Sequence, residues 1–273
     1  MKMSVFYEHI AEAAVQTGKS VSEICKLAAS YGISGVEMED KRLFNEREEI
    51  LEALSDAGFE ISCIYGFFDF SHDDKIERGY QFVDLAKELG VKKIMPIPGF
   101  IQDDEREPEV YQKCLAKMID AMNQICAYAK EKDVIIVLED FDDKIAHFSN
   151  AEGLKYFMDH VSGLYCTFDT GNFLYSEEDS LEVLPMFLDK IKHVHCKDRS
   201  FTKVEGEECK ATIAGRDMYS APVGSGLIKM KEIIEIVKES GYDDYFAIEH
   251  FGSLDQLGFM KESAEWLKGE GIL

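Results

Sequence analysis

The chain has 273 residues, of which 46% are apolar, and its 53 acidic and 30 basic side chains give a formal charge of −23. A surface this acidic repels phosphate backbones, which argues against a nucleic-acid partner, while the apolar share is enough for a full core. No apolar run approaches the ~20 residues that span a bilayer, so no membrane partner is expected.

The length fits one (β/α)₈ domain, about 250 residues in typical cases, and no linker, low-complexity tract or charge block divides 1–273. The opening MKMSVFYEHI has no long apolar segment and carries Glu8 and His9, so no signal peptide is read there. Seven scattered cysteines without a CxxC pair read as reduced thiols, and a cytoplasmic location is expected.

A regular alternation runs from end to end. Val5–Tyr7 reads as a first strand closing on Glu8 and His9, followed by a helix over Val21–Tyr31 and a second strand at Val36–Met38. Glu46–Ala57 is predicted helical with Gly58 as its stop, and Ile61–Phe68 is an aromatic-rich third strand. Phe82, Leu85, Ala86 and Leu89 share one helix face, Gly90 caps it, and strand four is Val91–Ile97. Leu115, Met118, Ile119, Met122, Ile125, Cys126 and Ala129 mark the clearest amphipathic stripe, leading into strand five at Val134–Leu138. Helix five is about Ala151–His160, strand six Leu164–Phe168, helix six about Leu181–Leu188 and strand seven Ile191–His195. A longer polar loop reaches Gly224-Ser225-Gly226. Helix seven then begins near Leu227, strand eight is Tyr245–Ile248, and Asp255–Leu267 is the last helix.

Eight strand–helix units suit either a closed (β/α)₈ TIM barrel or an open doubly wound sheet. An open dinucleotide-binding sheet should show GxGxxG after its first strand, and this chain has Glu8-His9-Ile10 there, so the barrel is preferred. In such barrels the active site lies at the C-terminal ends of the strands. Glu139, Asp169, His195 and Glu249 end strands five to eight. A strand-end carboxylate alone is more often a helix cap, and a lone His on a strand is usually a core residue; four on successive strands point to one divalent metal site. Three carboxylates and an imidazole are a hard ligand set that suits Mn²⁺ first, with Mg²⁺, Co²⁺ or Zn²⁺ compatible.

The runs VLEDF, TFDTGNF, HVHCKDR, PVGSG and AIEH, in this order, resemble the xylose-isomerase-like barrel superfamily of sugar (phosphate) isomerases and epimerases. That group includes ketose 3-epimerases, hydroxypyruvate isomerases and inosose dehydratases. The resemblance implies that Glu139, Asp169, His195 and Glu249 hold one metal ion, that Glu139 and Glu249 double as catalytic acid/base groups, and that dimers or tetramers form. One departure is Asn172, where many members have a histidine; its absence weakens a multinuclear site of the kind the related AP endonucleases use.

The expected activity is metal-dependent proton transfer beside the carbonyl of a small sugar, ketose or sugar phosphate, giving epimerisation or isomerisation. Loss of a β-hydroxyl after the same first step would make the protein a lyase of the inosose or 3-keto-sugar type, and a sugar-binding barrel without activity is the third reading. Asn172, Lys197, His9, Tyr65, Phe67 and Arg199 are expected around the substrate. Gly224–Gly226 before a helix would suit a phosphate, but a plain tight turn is the preferred reading.

Overall fold

Short apolar runs separated by amphipathic helices leave one way to cover both faces of every strand, a parallel ring inside a layer of helices. The computed structural model describes residues 1–72 and 75–273. Its strands are β1 (Lys2–Phe6), β2 (Ile33–Glu39), β3 (Glu60–Phe67), β4 (Lys93–Ile97), β5 (Ile135–Leu138), β6 (Leu164–Asp169), β7 (Ile191–Ser200), β8 (Lys210–Ala211), β9 (Asp217–Ala221) and β10 (Tyr245–Glu249). β1 to β7 pair in chain order, and β10 closes the ring by pairing in parallel with both β1 and β7. This is a closed eight-stranded (β/α)₈ TIM barrel, as the sequence predicts.

The helices are α1 (Tyr7–Thr17), α2 (Val21–Ser30), α3 (Asp40–Asn45), α4 (Arg47–Ala57), α5 (Ile76–Leu89), α6 (Pro108–Lys132), α7 (Ala151–His160), α8 (Ser180–Val183), α9 (Met230–Glu239) and α10 (Gln256–Gly269). Local chemistry sets their ends. Ser20 and Glu23 form a reciprocal capping box on α2, Pro108 opens α6, and Asn150 and Asp255 cap α7 and α10. The stripe read from Leu115 to Ala129 lies on α6, with Leu115, Met118, Met122, Ile125, Cys126 and Ala129 buried.

Several elements differ from the sequence reading. Tyr7 to Thr17 is a helix, so His9 lies on its first turn and not at the end of a strand. The predicted helix over Leu181–Leu188 is a four-residue α8 followed by a 3₁₀ turn at Leu184–Met186, because Pro185 cannot donate to a continuing α-helical ladder. α9 begins at Met230 instead of Leu227.

The main difference concerns β7, which does not stop at His195. It overshoots the barrel rim to Ser200 and there pairs antiparallel with β9, which in turn pairs with β8. Alternate residues of a strand face the same way. The row His193, His195, Lys197 and Arg199 therefore runs from the middle of the barrel to its mouth. Asp198, on the other side, accepts hydrogen bonds from the amides of Gly224, Gly226 and Ile228 at 2.9–3.1 Å. That carboxylate occupies the Gly224–Gly226 amides considered for a phosphate, so the tight turn is what the structure shows.

Candidate active site

Four buried side chains converge where the strands end. Glu139, Asp169, His195 and Glu249 each offer one ligand atom, and all four atoms lie within 4.8 Å of one another. His195 Nδ1 is 2.8 Å from Glu139 Oε2, 3.3 Å from Glu249 Oε2 and 3.7 Å from Asp169 Oδ2.

Each side chain is aimed by its local sequence. The TGN turn after β6 sends the amides of Gly171 and Asn172 to Asp169 Oδ1, at 2.7 and 2.8 Å, which leaves Oδ2 facing the centre. Gly171 is required there, since a Cβ would meet the Lys197 carbonyl oxygen at 2.5 Å. Thr170 joins the same strands, donating to the Lys197 carbonyl and accepting its amide, both at 2.9 Å.

Glu37 of β2 was not among the residues singled out in the sequence. Its Oε2 lies 3.0 Å from His195 Nε2 and 2.7 Å from His193 Nε2, both fully buried. A carboxylate on Nε2 fixes the ring orientation that turns Nδ1 toward the three acidic groups. The only local signal for Glu37 was a charged residue between Val36 and Met38 in an otherwise apolar strand.

The electrostatics are those of crowded anions. Burial pushes the Glu139 carboxyl up to about 7, against the pull of His195. Burial also opposes the charge on Glu249, but the Lys197 ammonium and His195 outweigh it and hold that carboxyl at about 2. His195 is raised well above the ordinary imidazole value: burial acts against its charge, and Glu37 and Glu139 overcome it. Asp140, fully buried beside Asp169, is driven well up by burial and by that neighbour.

Among the described residues, Asp169 Oδ2 and Glu249 Oε2 are buried without a hydrogen-bond partner. His195 Nδ1 stands 3.3 Å from Glu249 Oε2 and Lys197 Nζ 3.5 Å from Asp169 Oδ2 without completing a hydrogen bond, and buried lone pairs left so are costly unless a cation completes them. On this observation the four residues fit a divalent ion.

A cavity of about 500 Å³ opens above them, lined by Phe6, Tyr65, Phe67, Phe141, Phe251, Asn172, Lys197 and Arg199, among others. Lys197 Nζ contacts Glu249 and donates to Asn172 Oδ1 at 2.8 Å, and Asn172 Nδ2 donates to the Asp140 carbonyl at 2.8 Å. The expected surroundings Asn172, Lys197, Tyr65, Phe67 and Arg199 are thus brought together. His9 is not among the lining residues. It is fully buried behind Phe6 and Phe251, stacked on His250, with Nε2 accepting the His250 amide at 2.9 Å, because the chain turns helical at Tyr7, where no helix was read. A larger hollow of about 760 Å³, bordered by Phe68, His72, Arg78 and Phe100, lies alongside but contains none of the four converging groups.

Comparison with known proteins points the same way. The family model described as "Xylose isomerase-like TIM barrel" matches residues 25–270. Inosose dehydratase of Clostridium perfringens is 29% identical over 138 residues, 48% of this chain and 46% of that protein. The match therefore spans about half the length of that relative. Among solved structures, the probable 3-DHS dehydratase AsbF of Bacillus anthracis superposes with a TM-score of 0.73 at 18% identity, covering 98% of this chain and 99% of the other. D-allulose 3-epimerase from Methylomonas sp., solved with D-allulose, gives 0.72 at 14% identity over 99% and 97%. Likenesses at this identity speak of the fold.

Proposed function

Since the chain belongs to the xylose isomerase-like TIM-barrel family, we propose that it is a divalent-metal-dependent isomerase or epimerase acting on a small polyhydroxylated ketone. The observation that carries this is the buried four-residue set whose two glutamates arrive from β5 and β10, on either side of Asp169 and His195. Glu139, Asp169, His195 and Glu249 would hold the ion, with Mn²⁺ first among oxygen-preferring candidates. When bound, the ion supplies Lewis acidity toward the substrate carbonyl.

The chain's own residues do the rest. Glu139 and Glu249 stand on two sides of the bound substrate, one to remove the proton beside the carbonyl and the other to return one. Lys197 Nζ already contacts Glu249, so Glu139 is assigned to proton removal and Glu249 to proton return. Lys197 and Asn172 offer N–H donors to the substrate's oxygens, and Phe6, Tyr65, Phe67, Phe141 and Phe251 keep bulk water away. Seven free cysteines, six of them buried, fit the reducing environment of the cytoplasm.

Dehydration is the second reading, favoured by the likeness to inosose dehydratase and by Lys197. With a glutamate removing the proton, the adjacent C–O bond breaks, and the Lys197 ammonium supplies the proton that lets hydroxide leave as water.

The test is proton NMR in D₂O with Mn²⁺-loaded chain, read after chelation, over ketoses, ketose acids, ketose phosphates and inososes. Deuterium entering a carbon beside the carbonyl, lost in Glu139→Gln, is the expected result. Loss of water with a new enone absorbance would select the lyase. Neither event on any compound, from protein shown to carry its ion, would sink both readings.

A further inference from the structure

The overshoot of β7 and the short β8 place two cations over the cavity, and a single buried carboxylate serves both. Arg199 Nη2 lies 2.9 Å from Asp142 Oδ2 and Lys210 Nζ lies 2.8 Å from Asp142 Oδ1. All three line the cavity. Arg199 is only 6% exposed and its Nε has no hydrogen-bond partner among the described residues, although a guanidinium carries five N–H donors. A buried cation is costly unless matched, and Arg199 shares its Asp142 partner with the half-exposed Lys210. Here two positive charges face one negative charge, in a protein whose net charge is −23.

Neighbouring groups do not remove the surplus. Lys197, one alternate residue down the strand, is engaged with Glu249 and Asn172. Glu208, also on the cavity wall, sits on its exposed rim, where water screens its charge. The two cations are also held in place. The Arg199 carbonyl accepts the Leu227 amide at 2.8 Å, and Lys210 lies over the rings of Phe141 and Tyr175 at 5.9 and 5.8 Å. Two fixed cations sharing one anion, beside an open cavity, make a receptor for a second anion.

We infer that the substrate carries a terminal carboxylate or phosphate monoester, received by Arg199 and Lys210 while its carbonyl end meets Glu139 and Glu249. This rests on the proposed enolising site and names its substrate class. Along β7, Arg199 stands four residues beyond His195, roughly 13 Å at the rise of an extended strand. That is a backbone separation; the long Arg199 side chain spans part of it within the same cavity, and a short acidic chain has only the remainder to cover.

The experiment compares a neutral ketose with its terminally carboxylated and terminally phosphorylated counterparts, using the Mn²⁺-loaded full chain and the D₂O assay. At least one acidic compound should be processed with kcat/KM tenfold or more above the neutral one, and which of the two leads identifies the anion. Arg199→Met and the half-exposed Lys210→Glu should each shrink that preference at least tenfold, mainly through KM. Lys210→Glu serves as the variant that keeps the buried Arg199–Asp142 pair and hence the fold. A wild-type preference for the neutral ketose, or a preference unmoved by either variant, overturns the inference and leaves the proposed function standing. If no compound exchanges deuterium, calorimetric binding of an aldonate against its neutral polyol decides. Tighter aldonate binding that weakens in Lys210→Glu supports the acidic substrate, and equal binding rejects it.

Discussion

The barrel has a hollow of similar size at each end, about 530 Å³ beneath the strands and about 500 Å³ above them. Volume does not separate them, but charge pairing does. At the floor every charge has its own partner: Lys93 is 2.6 Å from Asp244, and Glu60 accepts from Lys2 at 2.8 Å and from the Tyr245 hydroxyl at 2.7 Å. At the mouth, three carboxylates crowd one imidazole and one ammonium, with buried oxygens of Asp169 and Glu249 left over. A closed set of pairs is what stability asks of a barrel floor, and an open set is what a ligand completes.

The sharpest way to break this contrast is Asp169→Asn. Mn²⁺ affinity measured by calorimetry should fall more than a hundredfold, and the deuterium exchange should disappear with it. Under chelator the variant should melt at or above the wild-type temperature, since one of three crowded anions is gone. A chelated variant less stable than chelated wild type would make the cluster a structural one.

Glu37→Gln probes the support of that cluster and should have a smaller effect. Losing the carboxylate that holds His195 Nε2 should weaken Mn²⁺ binding about ten- to a hundredfold, with the fold retained by circular dichroism. Unchanged affinity would remove Glu37 from the site.

At the floor the expected change is smallest. Lys93→Met should lower stability by about 1 kcal/mol in urea titration while kcat stays at the wild-type value, because Asp244 remains half in water. Burial works against the charge on Asp244, but Lys93 outweighs it and keeps the carboxyl below its ordinary 3.8. The pair's contribution is therefore complete above that value and is lost as pH falls through the lower folded pKa. Below that point the gap between wild type and variant should close. A gap that widened in acid would contradict the pairing.

How legible these features are in the sequence follows from the range of the forces involved. Glu139, Asp169 and Glu249 could be read because each follows an apolar run, a local pattern that hydropathy exposes. Glu37 could not, since its meaning lies in a bond to His195, 158 positions away. The first helix was hidden because Phe6 precedes it with no side-chain cap, and Val5-Phe6-Tyr7 reads as continued strand; burial of Tyr7, Ile10, Ala13 and Ala14 on one face shows the period that was there. β7 was cut short at His195 because Lys197, Asp198 and Arg199 look like a loop. All three are buried, held by partners from distant segments: Glu249 and Asn172, the Gly224–Ile228 turn, and Asp142.

That extension also divides the labour of the molecule. The four converging side chains sit in or beside the closed ring, whose pairing from β7 to β10 ends at Lys197 and Glu249. Arg199 and Lys210 stand on an appendage joined to the ring by β7 and tied down by Asp198. The entropy of closing such an excursion rises only slowly with its length. The appendage can therefore be lengthened, shortened or exchanged while the ring stays intact, so a new recognition surface can be grafted over an old reaction centre without rebuilding the scaffold beneath it.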